Sequence, residues 1–276
     1  MIKKIVDFFL FSSLFIAGCA VAMVFQTGYE FQNPPNEYCY YYFVFFSTIT
    51  SYNFHWYYTN NQSADKYRSK WSSNHRMLHL GLFILGIIGS SIHFIHLIKY
   101  APLLIPAIML AFFYSISSMP TVQSFYINKL AGGKTFYLSL TWLYVTTVIP
   151  LLLSENPLTK REIYFILFRF FLIFIICLLF DNRDKERDQN KLIINWINYH
   201  DEKKINIIFY FSTISGIIAS TLFITQKPIE ANHLLLVLPF FILIACFPSC
   251  KNWSSDYLYY FFLDGLMAAP FISVFL

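Results

Sequence analysis

In this chain of 276 residues, 32 Phe, 20 Tyr and 5 Trp together outnumber the 20 basic and 15 acidic residues. Charged residues make up 13% of it and hydrophobic ones 57%, whereas a soluble domain carries charge on roughly a quarter of its positions. With a mean hydropathy of +0.52, that balance excludes most soluble proteins as well as disordered and fibrous classes.

Windows free of Asp, Glu, Lys and Arg run over 8–29, 38–64, 77–98, 100–128, 135–154, 205–226 and 231–250. Each is at least 20 residues long, about what a helix needs to cross ~30 Å of hydrocarbon at 1.5 Å per residue. Two further stretches come close: 163–180 contains only Arg169, and 254–276 only Asp256 and Asp264. The apolar runs are continuous rather than alternating, which favours helices over a barrel because each helix satisfies its own backbone in lipid. The pattern predicts an all-α integral membrane protein with nine transmembrane helices, forming a single polytopic domain over 1–276. The longest polar interruptions, 59–74 and 181–204, are too short for a separate soluble domain.

Basic residues set the orientation. With the N-terminus in the cytoplasm, Lys3, Lys4, Lys66, Arg68, Lys70, Arg76, Lys129, Lys134, Arg183, Lys185, Arg187, Lys191, Lys203, Lys204 and Lys251 fall on the inside, against Lys99, Lys160, Arg161 and Lys227 outside. This is the positive-inside bias of a multi-pass protein, most simply of a bacterial inner membrane. It accounts for the +5 net charge without nucleic acid.

Several smaller patterns have plain readings. Ile16, Ala17, Gly18 and Cys19 look like a lipoprotein cleavage site, but apolarity continues through Phe25 and the segment reads as a first span. The five Cys form no CxxC pair, so neither a disulfide framework nor a zinc site is indicated. His75 and His79, then His93 and His96, sit at opposite ends of one span, too far apart for a di-iron centre, and suit packing and helix-end hydrogen bonds. Arg169 and Asp264 are intramembrane charges that either pair across helices or line a polar cavity. Tyr52, Tyr57, Tyr58, Trp56 and Trp71 read as an interfacial aromatic belt.

The segment 181–188, DNRDKERD, concentrates four acids in eight positions. If the sixth span continues as a helix, Asp181, Asp184 and Asp188 share one face within about 60°, with Arg183 and Arg187 opposite. Asp184 and Asp188 repel each other unless a cation lies between them. Such a stripe suits Mg²⁺, which takes one or two carboxylates and fills its other positions with water and substrate phosphate. It equally suits a solvated loop held by Asp181–Lys185 and Asp184–Arg187 pairs.

DNRDKERD, directly after Cys177-Leu178-Leu179-Phe180, resembles the second aspartate motif of the UbiA family of membrane prenyltransferases, roughly DxRDxxxD. The segment from Lys134 through Thr141 and Trp142 to Pro150 is similar to the family's fifth helix, and Leu263-Asp264-Gly265 to its ninth. The resemblance implies a nine-helix bundle whose second and sixth helices end in metal-binding motifs on the cytoplasmic side. It implies a transferase that moves an isoprenoid chain from a prenyl diphosphate to a lipophilic, aromatic acceptor. Mg²⁺ would be held on Asp181, Asp184 and Asp188, with Asp184 and Asp188 catalytic. Asn53, Lys129 and Lys134 would face the diphosphate. The first motif, NDxxDxxxD, would begin at Asn53, but Phe54, Tyr57 and Asn61 stand where it has carboxylates. That departure implies weak, diphosphate-dependent metal binding and slow turnover. Its alternative is a catalytically inactive relative acting as a lipid-binding or scaffold protein.

Overall fold

A computed structural model of the chain describes residues 2–31, 38–59, 67–117, 134–153, 157–190, 201–226, 231–252 and 255–275. Among them helix is the only regular structure. Four helices, Arg76–His96, Thr135–Leu152, Lys160–Asp184 and Glu202–Ile224, are long and apolar enough to cross a membrane, and a bent pair at the start makes a fifth. Shorter apolar helices cover Ile98–Phe112, Leu234–Cys250 and Leu258–Val274.

The bent pair is α1 (Ile2–Phe11) and α2 (Leu14–Glu30), turned 59° against each other. Ser12 and Ser13 form the break, and Ser13 takes a left-handed conformation at φ 69°. A non-glycine residue pays about 1 kcal/mol for that conformation. The segment that resembles a lipoprotein signal lies inside α2, where Cys19 is buried.

α3 (Cys39–Thr59) packs along α5 (Arg76–His96). Glycines make the approach close: a Cβ at Gly86 would lie 2.5 Å from Thr50 Oγ1, and one at Gly89 2.4 Å from the Phe46 ring. The far side of α5, including Ile84, Ile88, Ile92 and Ile95, is exposed, as expected of a helix facing lipid. Between these two helices lies α4 (Tyr67–Asn74), a short helix inside what reads from sequence as a polar interruption. α6 (Ala101–Ser117) follows.

α7 (Lys134–Leu143) runs through a π-helical turn at Tyr144–Val148 into α8 (Ile149–Leu152). A π turn leaves backbone carbonyls without their usual partners. Here Tyr40 donates its hydroxyl to Val145 O at 2.6 Å and Thr27 to Thr146 O at 2.9 Å. α9 (Lys160–Asn190) is central and, between Ile163 and Phe180, apolar apart from Arg169, burying Phe165, Phe168, Leu172, Ile175 and Leu178. α10 (Glu202–Ile224), α11 (Leu238–Asn252) and a last run, π-helical at Leu258–Leu263 and α-helical as α12 (Asp264–Ala268), complete the bundle.

Arg169 is 0% exposed in the first third of α9. It donates to Gln26 Oε1, to Met267 O at 3.3 Å and to Met23 O at 3.4 Å. Gln26 reaches on to Ser273 Oγ at 3.5 Å. The arginine thus ties α2, α9 and the last helical run through carbonyls and an amide rather than by pairing with Asp264. At the Glu30 end of α2, Arg161 donates to Glu30 O at 3.0 Å and lies against the rings of both Phe31 and Phe223.

Candidate functional site

The end of the bundle where α3 finishes and the DNRD segment leaves the core carries a dense set of polar and aromatic side chains. α3 brings Asn53, which is fully buried. Its Nδ2 donates to Ile49 O at 2.9 Å and to Ser12 O, in the break between α1 and α2, at 3.1 Å. Those two bonds fix which amide atom is oxygen, so His79 Nδ1, 2.7 Å from Asn53 Oδ1, carries the proton of that bond. In a neutral ring His79 Nε2 is then an acceptor.

α4 supplies Arg68, 2% exposed. Its backbone N–H donates to Asp256 Oδ2 at 2.8 Å. The guanidinium lies 3.8 Å from the Tyr260 ring centroid, 4.2 Å from that of Trp56 and 5.7 Å from that of Phe11. Burial pulls its pKa below the ordinary arginine value, yet arginine stays cationic at neutral pH. Trp56 and Trp71 therefore belong to a packed cluster rather than to an aromatic belt: Trp71 stacks on His75 at 4.2 Å and meets Phe11 edge-on.

From α9, Asp181 is buried and accepts the hydroxyl of Thr135. Arg183 donates from Nε to Asp184 Oδ1 at 3.0 Å and from Nη2 to the Tyr260 hydroxyl at 3.0 Å, with Nη1 3.6 Å from Asp256 Oδ1. The helical-wheel expectation that Arg183 points away from the carboxylates is corrected here. The last helical run covers that face of α9 with Asp256 and Tyr260, and the flexible arginine folds onto both them and its neighbour Asp184. Asp264, also buried, lies within electrostatic reach of Arg68 and Arg183. At the rim Asp7 accepts hydroxyls from Tyr257 and, at 2.6 Å, Tyr67, which holds the Tyr67 phenol above its ordinary pKa.

Tyr260 joins the two regions that the aspartate-motif resemblance pairs. Its ring centroid is 6.3 Å from that of Trp56 on α3 and 5.5 Å from that of Phe180 on α9. Of the residues expected at the site, Asn53, Asp181 and Asp184 are at this end, each engaged by other groups of the chain. Tyr57 lies under the Arg76 guanidinium at 4.6 Å. Asn61 and Lys129 lie outside the described residues, as do the side chains of Lys134 and Asp188, whose backbones are helical. Among the described residues no three His, Cys, Asp or Glu side chains are grouped to hold a metal ion. Asp184 carries a guanidinium and Asp181 a hydroxyl, so each of these carboxylates has a partner within the chain. Arg68, Ser72 and His79 emerge only from the fold; from sequence, Arg68 is one more positive-inside charge.

No family model, no curated protein and no solved structure matches this chain.

Proposed function

We propose that this chain is a nine-span membrane protein with its N-terminus in the cytoplasm and that it works as a UbiA-like prenyltransferase, moving an isoprenoid chain from a prenyl diphosphate to a lipophilic aromatic acceptor. The observation that supports this most is the meeting, through Tyr260, of the end of α3 with the DNRD end of α9. A prenyl diphosphate has a long apolar tail and a polyanionic head, and this end of the bundle offers buried guanidinium groups beside an apolar core. Positive charge fixed at the head stabilises the departing diphosphate as the allylic C–O bond breaks, and an apolar surround keeps water from the carbocation.

Mg²⁺ belongs to the proposal as the resemblance gives it, on Asp181, Asp184 and Asp188, where it would neutralise diphosphate charge. No step is assigned to it, because two of those three carboxylates are engaged within the chain. The faces of Trp56 and Tyr260 carry the Arg68 guanidinium, so stabilising an allylic cation falls to other rings. The alternative, a lipid-binding or scaffold protein without turnover, is favoured by one observation: Asn53, where the first motif would begin, spends its amide on internal bonds.

Purified chain in nanodiscs, given labelled prenyl diphosphates and a hydroxybenzoate-type acceptor, tests the proposal. The wild type should form product in Mg²⁺. An Asp184→Asn, Asp188→Asn double variant should lose about a hundredfold or more while keeping its thermal midpoint. No product from any donor or acceptor leaves the scaffold reading. Cysteine accessibility at Asn61 and Asp188 on one side and Asn156 on the other tests the topology.

A further inference from the structure

We infer that the polar cluster between the α1–α2 break, α3, α4 and α5 is a metal-independent site for a phosphate group, carried by Arg68 and completed by Ser12, Ser72 and His79. Arg68 is buried among rings that cover its faces, and its Nε and Nη2 donate to no acceptor. Ser12 Oγ, Ser72 Oγ and His79 Nε2 are likewise buried without hydrogen-bond partners. Leaving one such atom unpaired costs about 1–3 kcal/mol, so several of them on elements that meet at one end of the bundle call for a common explanation.

The residues that bear these atoms sit on elements joined by shared contacts. Arg68 and Ser72 are four residues apart on one face of α4, about 5–6 Å between their Cβ atoms. Asn53 clasps Ser12 on one side and His79 on the other. Trp71 touches Phe11 and His79, and His79 lies within electrostatic reach of Arg68. The nearby carboxylates are committed elsewhere or stand off: Asp256 meets Arg68 through its backbone N–H and faces Arg183, and Asp264 acts on both guanidinium groups at a distance.

The donor set selects the ligand. An arginine fork and two hydroxyls supply donors for a tetrahedral oxyanion. His79 Nε2, an acceptor in the tautomer that Asn53 imposes, calls for a ligand that brings a proton of its own. A phosphate monoester or the terminal phosphate of a diphosphate does so near neutral pH, since its second pKa is about 6. Sulfate and carboxylate do not. The inference goes beyond prenyl transfer and does not depend on it, because a phosphomonoester headgroup meets the same donors.

The test is thermal-shift and Trp-fluorescence titration of the full chain in phosphatidylcholine nanodiscs with EDTA present, using inorganic diphosphate in one arm and phosphatidic acid in the other. Saturable binding in at least one arm is expected, and the responding arm tells a free diphosphate from a lipid headgroup. Sulfate should compete at least about tenfold more weakly. Arg68→Gln should weaken binding about tenfold or more, and Ser72→Ala, which leaves the packing intact, about three- to tenfold. Absence of binding in both arms, binding only when Mg²⁺ is added, or wild-type affinity in Ser72→Ala overturns the inference. Product formation is not the readout, so binding in EDTA without turnover removes the transferase reading alone, and Mg²⁺-only binding with turnover removes the phosphate site alone.

Discussion

The amide of Asn53 donates twice and accepts once, and two of those three bonds leave its own helix, to Ser12 and to His79. Asn53→Ala removes all three, leaving a buried imidazole and a non-helical carbonyl unpaired. We expect a loss of about 2–3 kcal/mol in denaturant titrations in detergent; a change under about 0.5 kcal/mol would show that water replaces the amide at little cost. From sequence, Asn53 reads as a diphosphate-facing residue. Its role as an internal clasp is not legible there, because its partners lie 41 and 26 positions away. Arg183 is hidden differently. Helical periodicity gives the direction of its Cα–Cβ bond correctly, but a long side chain goes where its partners are, and Asp256 and Tyr260 come from the last helical run.

At the scale of elements, the α3–α5 contact depends on two glycines. A Cβ at Gly86 would lie 2.9 Å from Thr50 N and 3.0 Å from Phe46 O, and backbone cannot step aside as a side chain can. Gly86→Ala should therefore destabilise by about 1–3 kcal/mol or more, measured as a lower thermal midpoint. Gly81→Ala, on the same helix with nothing within 4 Å, should be neutral or slightly stabilising. An unchanged midpoint in Gly86→Ala would mean that the two helices are not this close. The carboxylate spacing left the continuation of α9 past Phe180 open between a helix and a solvated loop, whereas charge-free windows made the long helices legible. α4 was not: Tyr67–Asn74 is polar by composition, and its place inside the bundle comes from Arg68 finding three aromatic rings. The break at Ser12 and Ser13 was not either, since two small residues in an uncharged window carry no Pro or Gly signal.

Across the whole molecule, Arg169 is the clearest tie between distant parts, reaching α2 and the last helical run from α9. Arg169→Met strands the Gln26 amide, whereas pairing it with Gln26→Leu removes both polar partners together. A double-mutant cycle should show about 1–2 kcal/mol of coupling, the double variant being less destabilised than the sum of the singles. Additivity within about 0.3 kcal/mol would make the contact incidental.

The bend between α1 and α2 also bears on the lipid around the protein. α2 alone rises about 26 Å, and α1, at about 15 Å, would make a straight rod of about 41 Å. Turned by 59°, α1 adds only about 8 Å along the axis of α2, for a combined height of about 34 Å, nearer the ~30 Å of a hydrocarbon layer. The slanted helix keeps Ile2, Ile5, Phe8 and Phe9 on its exposed side. If the pair crosses a membrane as one span, the left-handed serine sets the height of this edge of the protein, and with it how far the neighbouring bilayer must stretch or thin to meet it.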